Sequence, residues 1–311
     1  MTDHAVHPAS AALGFEATVP PFAVNRRSAA EVFVTDAGRV APDEFVVAMR
    51  VPRGHVLWSD QSGPWHDTVS TVEAFRQAFV LVRNKYLDVP RGTPSGVQRL
   101  DLAVEDLDAY RDDGVSPLDG VVQLRVTRPE GHGDTFEITG TYTVGSTLAM
   151  TLSFSSIMFP RESYEEIRAY QRSRRTAGTA PEVRPVDPAS VGRRDPRNVV
   201  VGRTPSRPDR FPVVLDRSHP SFFDRDYDHV PGALLIEALR QSTLLTSANG
   251  GGAALTRAAL DFTTFVELDA PVACSVSVAR GASPDVVTAS ANVEQYGERV
   301  AGGTLELTAY P

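Results

Sequence analysis

Apolar positions recur at helical spacing in two places along the chain. Val69 to Val82 carries Val69, Val72, Phe75, Phe79 and Val82 on one face, with Ala78, Val80 and Leu81 widening it. Gly232 to Leu245 is apolar nearly all round, through Ala233, Leu234, Leu235, Ile236, Ala238, Leu239, Leu244 and Leu245, which predicts a buried helix. Strand-like segments surround both. Val32–Thr35 and Glu44–Val51 precede the first helix, and Val121–Thr127, Asp134–Val144 and Ser146–Phe159 follow it. Asn198–Arg203 and Phe211–Leu215 precede the second, and Leu260–Leu268, Val272–Arg280, Asp285–Tyr296 and Arg299–Tyr310 follow it. Strands in succession without helices between them predict antiparallel sheets.

The same element order in both halves reflects a duplication. RGHVLWSDQSGPWHDTVSTVEAFRQ at 53–77 aligns without a gap to RSHPSFFDRDYDHVPGALLIEALRQ at 217–241, an offset of 164. Seven of 25 positions are identical: Arg53/Arg217, His55/His219, Asp60/Asp224, Glu73/Glu237, Ala74/Ala238, Arg76/Arg240 and Gln77/Gln241. A repeat kept only for packing would match best at apolar positions, yet these matches are mostly charged or histidine. Between the copies, residues 171–198 hold seven Arg and four Pro with little apolar periodicity, which reads as an exposed linker behind a short surface helix at Ser163–Arg174. The expected division is a loose tail at 1–20, a first domain at 21–160, the helix and linker at 161–197 and a second domain at 198–311. Gly250–Gly252 reads as a turn. A helix wrapped by an antiparallel sheet, with a polar stripe on an otherwise apolar helix, is the hot-dog arrangement. The expected fold class is therefore α+β: a double hot dog, paired through one continuous sheet as a pseudo-dimer.

Composition narrows the possibilities. The chain has 311 residues, 41% hydrophobic and 23% charged, with a formal net charge of −8. That is ordinary for a globular protein and lacks the basic surplus of a dedicated nucleic-acid binder. No apolar run approaches the roughly 18 residues a membrane span needs. The polar stretch Met1–Ser10 has no apolar core for a signal peptide. Cys274 is the single cysteine, so no internal disulfide or cysteine-built metal site can form, and a reducing cytoplasm is the natural setting.

The candidate chemistry lies on the repeated helices. Each carries Glu, Arg and Gln at i, i+3 and i+4, all on one face. Glu73 and Glu237 are candidate catalytic bases; the alternative is an intrahelical ion pair, which is weak justification for a carboxylate on a buried helix. Glu73 could also belong to a capping box with Ser70, but Leu234 at the matching position cannot cap. Arg76 and Arg240 either neutralise these carboxylates or hold an anionic substrate. Gln77 and Gln241 are candidate hydrogen bonders to the site. His55 and His219 are matched candidates upstream, while His66 and His229 miss each other by one residue. Asp60 and Asp224 suit orienting roles. Gly232 and His229, at the start of the second helix, are further substrate-binding candidates. No metal-binding, P-loop, dinucleotide or nucleophile-elbow motif is present.

The segment from His219 to Gln241 resembles the dehydratase-type hot-dog motif, with Pro231, Gly232, Glu237, Ala238 and Gln241 in its PG-(x)4-E-A-x-x-Q pattern. More closely, DYDHVPGALLIEALRQ, VPRGH…VEAFRQ, RNKYLDVPRG and FVELDAPV together resemble the A-factor biosynthesis hot-dog family, the gamma-butyrolactone signal synthases of actinomycetes. That resemblance implies transfer of a beta-ketoacyl group from a thioester on acyl carrier protein to dihydroxyacetone phosphate or a similar acceptor, with the ester then cyclising toward a butenolide phosphate. It implies no metal or redox cofactor. It also implies that His219 works with Glu73, and His55 with Glu237, across the two halves, either in a monomeric pseudo-dimer or in a homodimer. Asp67-Thr68 replaces Pro-Gly in the first half, so the two sites need not be equivalent. Arg203, Arg207, Arg210 and Arg217 form a candidate carrier-docking patch, or simply a solvated surface. The rival readings are a hot-dog dehydratase or thioesterase, acting without an acceptor, and a non-catalytic acyl or lactone binding module.

Overall fold

Alternation decides the sheet faces: in Leu118–Thr127 every second residue from Leu118 to Val126 is buried and the residues between are more open. The structure is a computed structural model that describes residues 7–131, 133–175, 183–204, 207–247, 252–279 and 285–310. It divides into two units, one of Met1–Ser59 with Pro64–Pro160, the other of Asp60–Gly63 with Arg161–Pro311.

The first unit contains β1 (Val34–Ala41), β2 (Glu44–Val51), helix α1 (Thr68–Tyr86), β3 (Ser95–Val104), β4 (Leu118–Thr127), β5 (Thr135–Val144) and β6 (Thr147–Met158). Its strands are ordered β1-β2-β4-β5-β6-β3, antiparallel throughout. Helix α1 packs on β1, β2 and β4, burying Val69, Phe75, Phe79 and Val82. The helix can approach closely because Gly140 in β5 lies under it: a Cβ there would stand 2.8 Å from Phe75 Cε1 and 2.6 Å from the Gln123 carbonyl.

The second unit contains α2 (Arg161–Ser173), β7 (Arg210–Pro212), α3 (Gly232–Thr246), β8 (Ala253–Phe262), β9 (Val272–Ala279), β10 (Val286–Gln295) and β11 (Glu298–Ala309). Its antiparallel order, β8-β11-β10-β9-β7, reproduces the β3-β6-β5-β4-β2 path of the first unit, and α3 packs on β9, β10 and β11. The duplicated sequence has thus folded into a duplicated topology, with one helix against one antiparallel sheet in each copy. Among the described residues, no helix is long and apolar enough to cross a membrane.

Several local expectations change. The strand β3 breaks its own alternation at a bulge between Val97 and Arg99, which hides it from a periodicity search. Strand β8 ends at Phe262, so the segment expected as Leu260–Leu268 runs largely beyond it. Asn198–Arg203 is not a strand: a 3-10 turn at Pro196–Asn198 leads to two isolated bridges, Val201 to Val213 and Gly202 to Pro185. The tail is packed from residue 7 onward, with a turn at Pro8–Ala12 and a bond from Gly14 N to Asp36. Gly250 and Gly251 of the expected turn, and 176–182 of the expected linker, lie outside the described residues. The linker's other end is exposed only in part. Val191, Arg193 and Asn198 are buried, because the arginine and asparagine find polar partners inside the second unit.

Gly140→Ala should destabilise the protein by about 1–3 kcal/mol through overpacking between β4, β5 and α1. The midpoint of urea unfolding should fall with no change in its slope.

Candidate active site

A carboxylate on an apolar helix must be neutralised where it lies. Glu73 is enclosed by Arg26 Nη2 at 2.6 Å, Arg76 Nε and Nη2 at 2.8 and 2.7 Å, and Gln77 Nε2 at 2.7 Å. Glu237 repeats this arrangement, with Arg193 Nη2 at 2.8 Å, Arg240 Nε and Nη2 at 2.8 and 2.7 Å, and Gln241 Nε2 at 2.6 Å. Burial alone would raise both carboxyls. The two arginines and the glutamine outweigh it, holding Glu73 well below the usual carboxylate range and Glu237 down to about 2.

The glutamines extend each cluster into the backbone. Gln77 donates to the Glu31 carbonyl at 2.7 Å and accepts from Phe33 N at 2.9 Å. Gln241 donates to the Asn198 carbonyl at 2.7 Å and accepts from Val200 N at 2.9 Å. Arg26 and Arg193, absent from the sequence-based candidates, come from equivalent loops. Each follows a short 3-10 turn, Pro21–Val24 or Pro188–Val191, that ends on a left-handed residue, Asn25 at φ 59° or Gly192 at φ 71°. Each precedes a turn capped by a side chain, Ser28 or Asp195. These loops are a second repeat, at an offset of 167 (Arg26 to Arg193) in place of 164.

The histidines serve these loops. His55 Nδ1 accepts from Leu57 N and Trp58 N, and its Nε2 faces Glu31 Oε2 at 3.2 Å. His219 Nδ1 accepts from Ser221 N and Phe222 N, and its Nε2 meets Asn198 Oδ1 at 3.0 Å. Asn198 in turn donates to Asp60 at 2.7 Å, and Asp60 also receives the amides of Arg194 and Asp195. Both rings are buried, and in each the Nδ1 accepts two backbone amides and so braces the loop that carries it. The partnerships expected with Glu237 and Glu73 form no part of either unit's internal geometry.

The copies diverge at their helix starts. Asp67 caps α1 by accepting from Val69 N, within a buried first turn. Pro231 gives α3 no side-chain cap, and Gly232 there is exposed. The Arg76 side chain is 32% exposed, that of Arg240 only 2%. His229, a half-buried residue just ahead of α3, stands 2.7 Å from Asp228. Cys274 is buried and its thiol is pushed up to about 12, which removes it as a nucleophile at neutral pH.

The model of the A-factor biosynthesis hotdog domain matches residues 7–158 and 175–311. The chain belongs to this family. Among curated A-factor relatives, the 2-oxo-3-(phosphooxy)propyl 3-oxoalkanoate synthase of Streptomyces virginiae is 29% identical, covering 82% of this chain and 85% of its own. The enzyme of the same name from Streptomyces coelicolor is 28% identical, covering 94% and 92%. Among solved structures, the 12:0-ACP thioesterase from Umbellularia californica matches with a TM-score of 0.54 at 12% identity, covering 88% of this chain and all of its own. A Lactobacillus plantarum protein described as an oleoyl thioesterase matches with a TM-score of 0.52 at 12% identity, covering 86% and 96%. These structural likenesses show the hot-dog fold. Within the A-factor hotdog framework, the candidate docking arginines are partly neutralised: Arg207 pairs with Asp209 and Arg210 with Glu294.

Because the folded Glu237 titrates near 2 in place of its ordinary 4.5, its ionised form stabilises the fold above about pH 4.5, and this contribution is lost as pH falls toward 2. Glu237→Gln should cost roughly 3 kcal/mol at pH 7 by leaving Arg193 and Arg240 without their counter-charge. The variant should also lose less stability than wild type between pH 5 and pH 2, read from unfolding midpoints across that range.

Proposed function

We propose that this chain is an acyltransferase that moves a beta-ketoacyl group from a thioester on acyl carrier protein to the hydroxyl of dihydroxyacetone phosphate or a similar phosphorylated acceptor. The observation that carries this reading is the family match through both halves, joined to relatives that align over most of their length and are named for one product. That name describes an ester: a 3-oxoalkanoate as the acid part and a 2-oxo-3-(phosphooxy)propyl group as the alcohol part. Making it requires an acyl donor, a hydroxyl whose proton is removed, polarisation of the carbonyl, and a hold on the phosphate.

The uncapped start of α3 suits the carbonyl, since backbone N–H groups at a helix N-terminus stabilise a developing oxyanion. Of the matched arginines, Arg76 suits an anion. Its Nε and Nη2 are occupied by Glu73, which holds the guanidinium in place while part of it meets solvent. Arg240 is enclosed and suits a counter-ion role. The titration of Glu73 and Glu237 makes them poor proton acceptors at neutral pH, so their proposed role is to fix the arginines and the helices. In this proposal the buried Cys274 takes no part, and transfer runs directly from donor thioester to acceptor hydroxyl.

Purified protein, a beta-ketoacyl thioester and dihydroxyacetone phosphate should yield the phosphorylated ester, followed by mass spectrometry. Free acid released equally without acceptor would mark a hydrolase, and binding without turnover an acyl-binding module; either overturns the proposal. Arg76→Ala should raise KM for the phosphate acceptor about 10- to 100-fold, the range for a lost charge-assisted bond. Arg240→Ala should act mainly on stability.

A further inference from the structure

One polar cluster remains outside the repeated glutamate sites. It lies in the second unit, and its centre has no counterpart in the first: Pro64 and Trp65 stand where the repeat places Asp228 and His229.

His229 Nδ1 lies 2.7 Å from Asp228 Oδ1. Asp228 is itself fixed: Tyr164 donates to both its oxygens at 2.8 and 2.9 Å, and Arg168 Nε to Oδ2 at 3.0 Å. Arg168 and Arg172 also donate to the Asp228 carbonyl, at 2.8 and 3.2 Å. Arg168 is buried and anchored by Glu267, Nη1 and Nη2 each meeting one carboxylate oxygen at 2.8 Å. Glu267 is tied by its backbone to Gln295 at 2.8 and 2.9 Å. Phe265 closes one side, its ring 4.7 Å from the His229 ring and 5.6 Å from that of Tyr164. Burial would raise the Asp228 carboxyl, but bonds from His229, Tyr164 and Arg168 hold it well below the usual range, so it is ionised at neutral pH.

An ionised carboxylate at Nδ1 accepts a hydrogen bond from the N–H of that nitrogen, which fixes the tautomer whose Nε2 carries the lone pair. Nε2 makes no hydrogen bond among the described residues, and the side chain is 23% exposed. This is how a proton acceptor is built: one nitrogen held, the other presented. His66 is the rival. It is buried, its pKa is lowered by that burial, and among the described residues no carboxylate is bonded to its ring.

We infer that His229 is the general base of the acyl transfer and that Asp228, braced by Tyr164 and Arg168, is its positioning residue. The inference rests on the acyltransferase reading above. Nε2 takes the proton of the acceptor hydroxyl as its oxygen attacks the thioester carbonyl. The C–O bond forms, the C–S bond breaks, and the imidazolium returns the proton to the departing thiolate. Ester and thiol leave, and the histidine is neutral again. The charged and titratable groups around the ring are Asp228 and Tyr227 on its own loop, the latter's ring 6.4 Å away, and Tyr164, Arg168 and Arg172 from α2, the arginines acting through Asp228 and Glu267 through Arg168.

The test measures ester formation by the full chain from a beta-ketoacyl thioester and dihydroxyacetone phosphate. His229→Gln should lower kcat about 100- to 10,000-fold, the usual range for a general base, with both KM values within about threefold of wild type and an unchanged unfolding midpoint. Asp228→Asn should lower kcat less and move the acidic limb of the kcat/KM profile to lower pH, because loss of the carboxylate disfavours the imidazolium. Tyr164→Phe should move the limb in the opposite direction, by freeing negative charge on Asp228. A His229→Gln enzyme with wild-type kcat, or an unmoved acidic limb in Asp228→Asn, overturns the assignment. So does a His66→Gln loss that His229→Gln lacks. If the wild type hydrolyses the thioester and makes no ester, the acyltransferase reading falls. Dependence of that hydrolysis on His229 would then still identify the base, and independence would remove it.

Discussion

The buried glutamate on each long helix is the constraint around which each unit is organised. An apolar helix can slide or rotate against a sheet at modest cost, because hydrophobic contact is not directional. A carboxylate with bound donors on several sides cannot. Glu73 ties α1 to Arg26, and Gln77 one turn later ties it to the backbone at Glu31 and Phe33. Glu237 and Gln241 do the same for α3 through Arg193, Asn198 and Val200. Buried ion pairs contribute little net stability compared with well-packed apolar residues. What the two clusters supply is register: each helix has one rotation, and each upstream loop one path.

That shared frame lets the copies differ where chemistry is exposed. In the first unit the helix start is closed by the Asp67 carboxylate, while Arg76 reaches solvent. In the second, Arg240 is sealed, the helix start is left uncapped, and α2 brings Tyr164 and Arg168 against Asp228. The loop-bracing histidines diverge too. His55 faces a carboxylate, Glu31, whereas His219 faces the amide of Asn198, with Asp60 one bond further on. Duplication supplied two scaffolds, and the polar residues around them were then free to specialise.

Both long helices, most strands and the repeated Glu-Arg-Gln stripe were legible in the chain, because burial imposes a period and a polar residue that breaks it stands out. Arg26 and Arg193 were not. Their repeat is displaced by three residues from that of the helices, so an ungapped alignment passes over it, and Arg193 sits in a stretch whose arginine and proline content reads as exposed. Composition reports what a segment can solvate, not what its partners are. The matching turns at Pro21–Val24 and Pro188–Val191, each followed by Arg-Arg, were the available signal. Strand β3 was hidden by its bulge. His229 was legible as a substrate-binding candidate ahead of the second helix, but its partners Tyr164, Arg168 and Glu267 are far from it in sequence.

The division of labour between buried carboxylate and half-buried histidine follows from what a proton acceptor must do. It must be unprotonated at working pH, yet basic enough to draw a proton from a hydroxyl. A glutamate held near the acid extreme by two arginines satisfies the first condition and fails the second. The buried histidines His55 and His219 hold backbone amides with Nδ1, and their Nε2 atoms face Glu31 and Asn198. In the proposed mechanism the Asp228 carboxylate holds one ring nitrogen of His229 and leaves the other to face the acceptor hydroxyl. The buried glutamates thus fix helices and upstream loops, and proton transfer is left to a group nearer solvent.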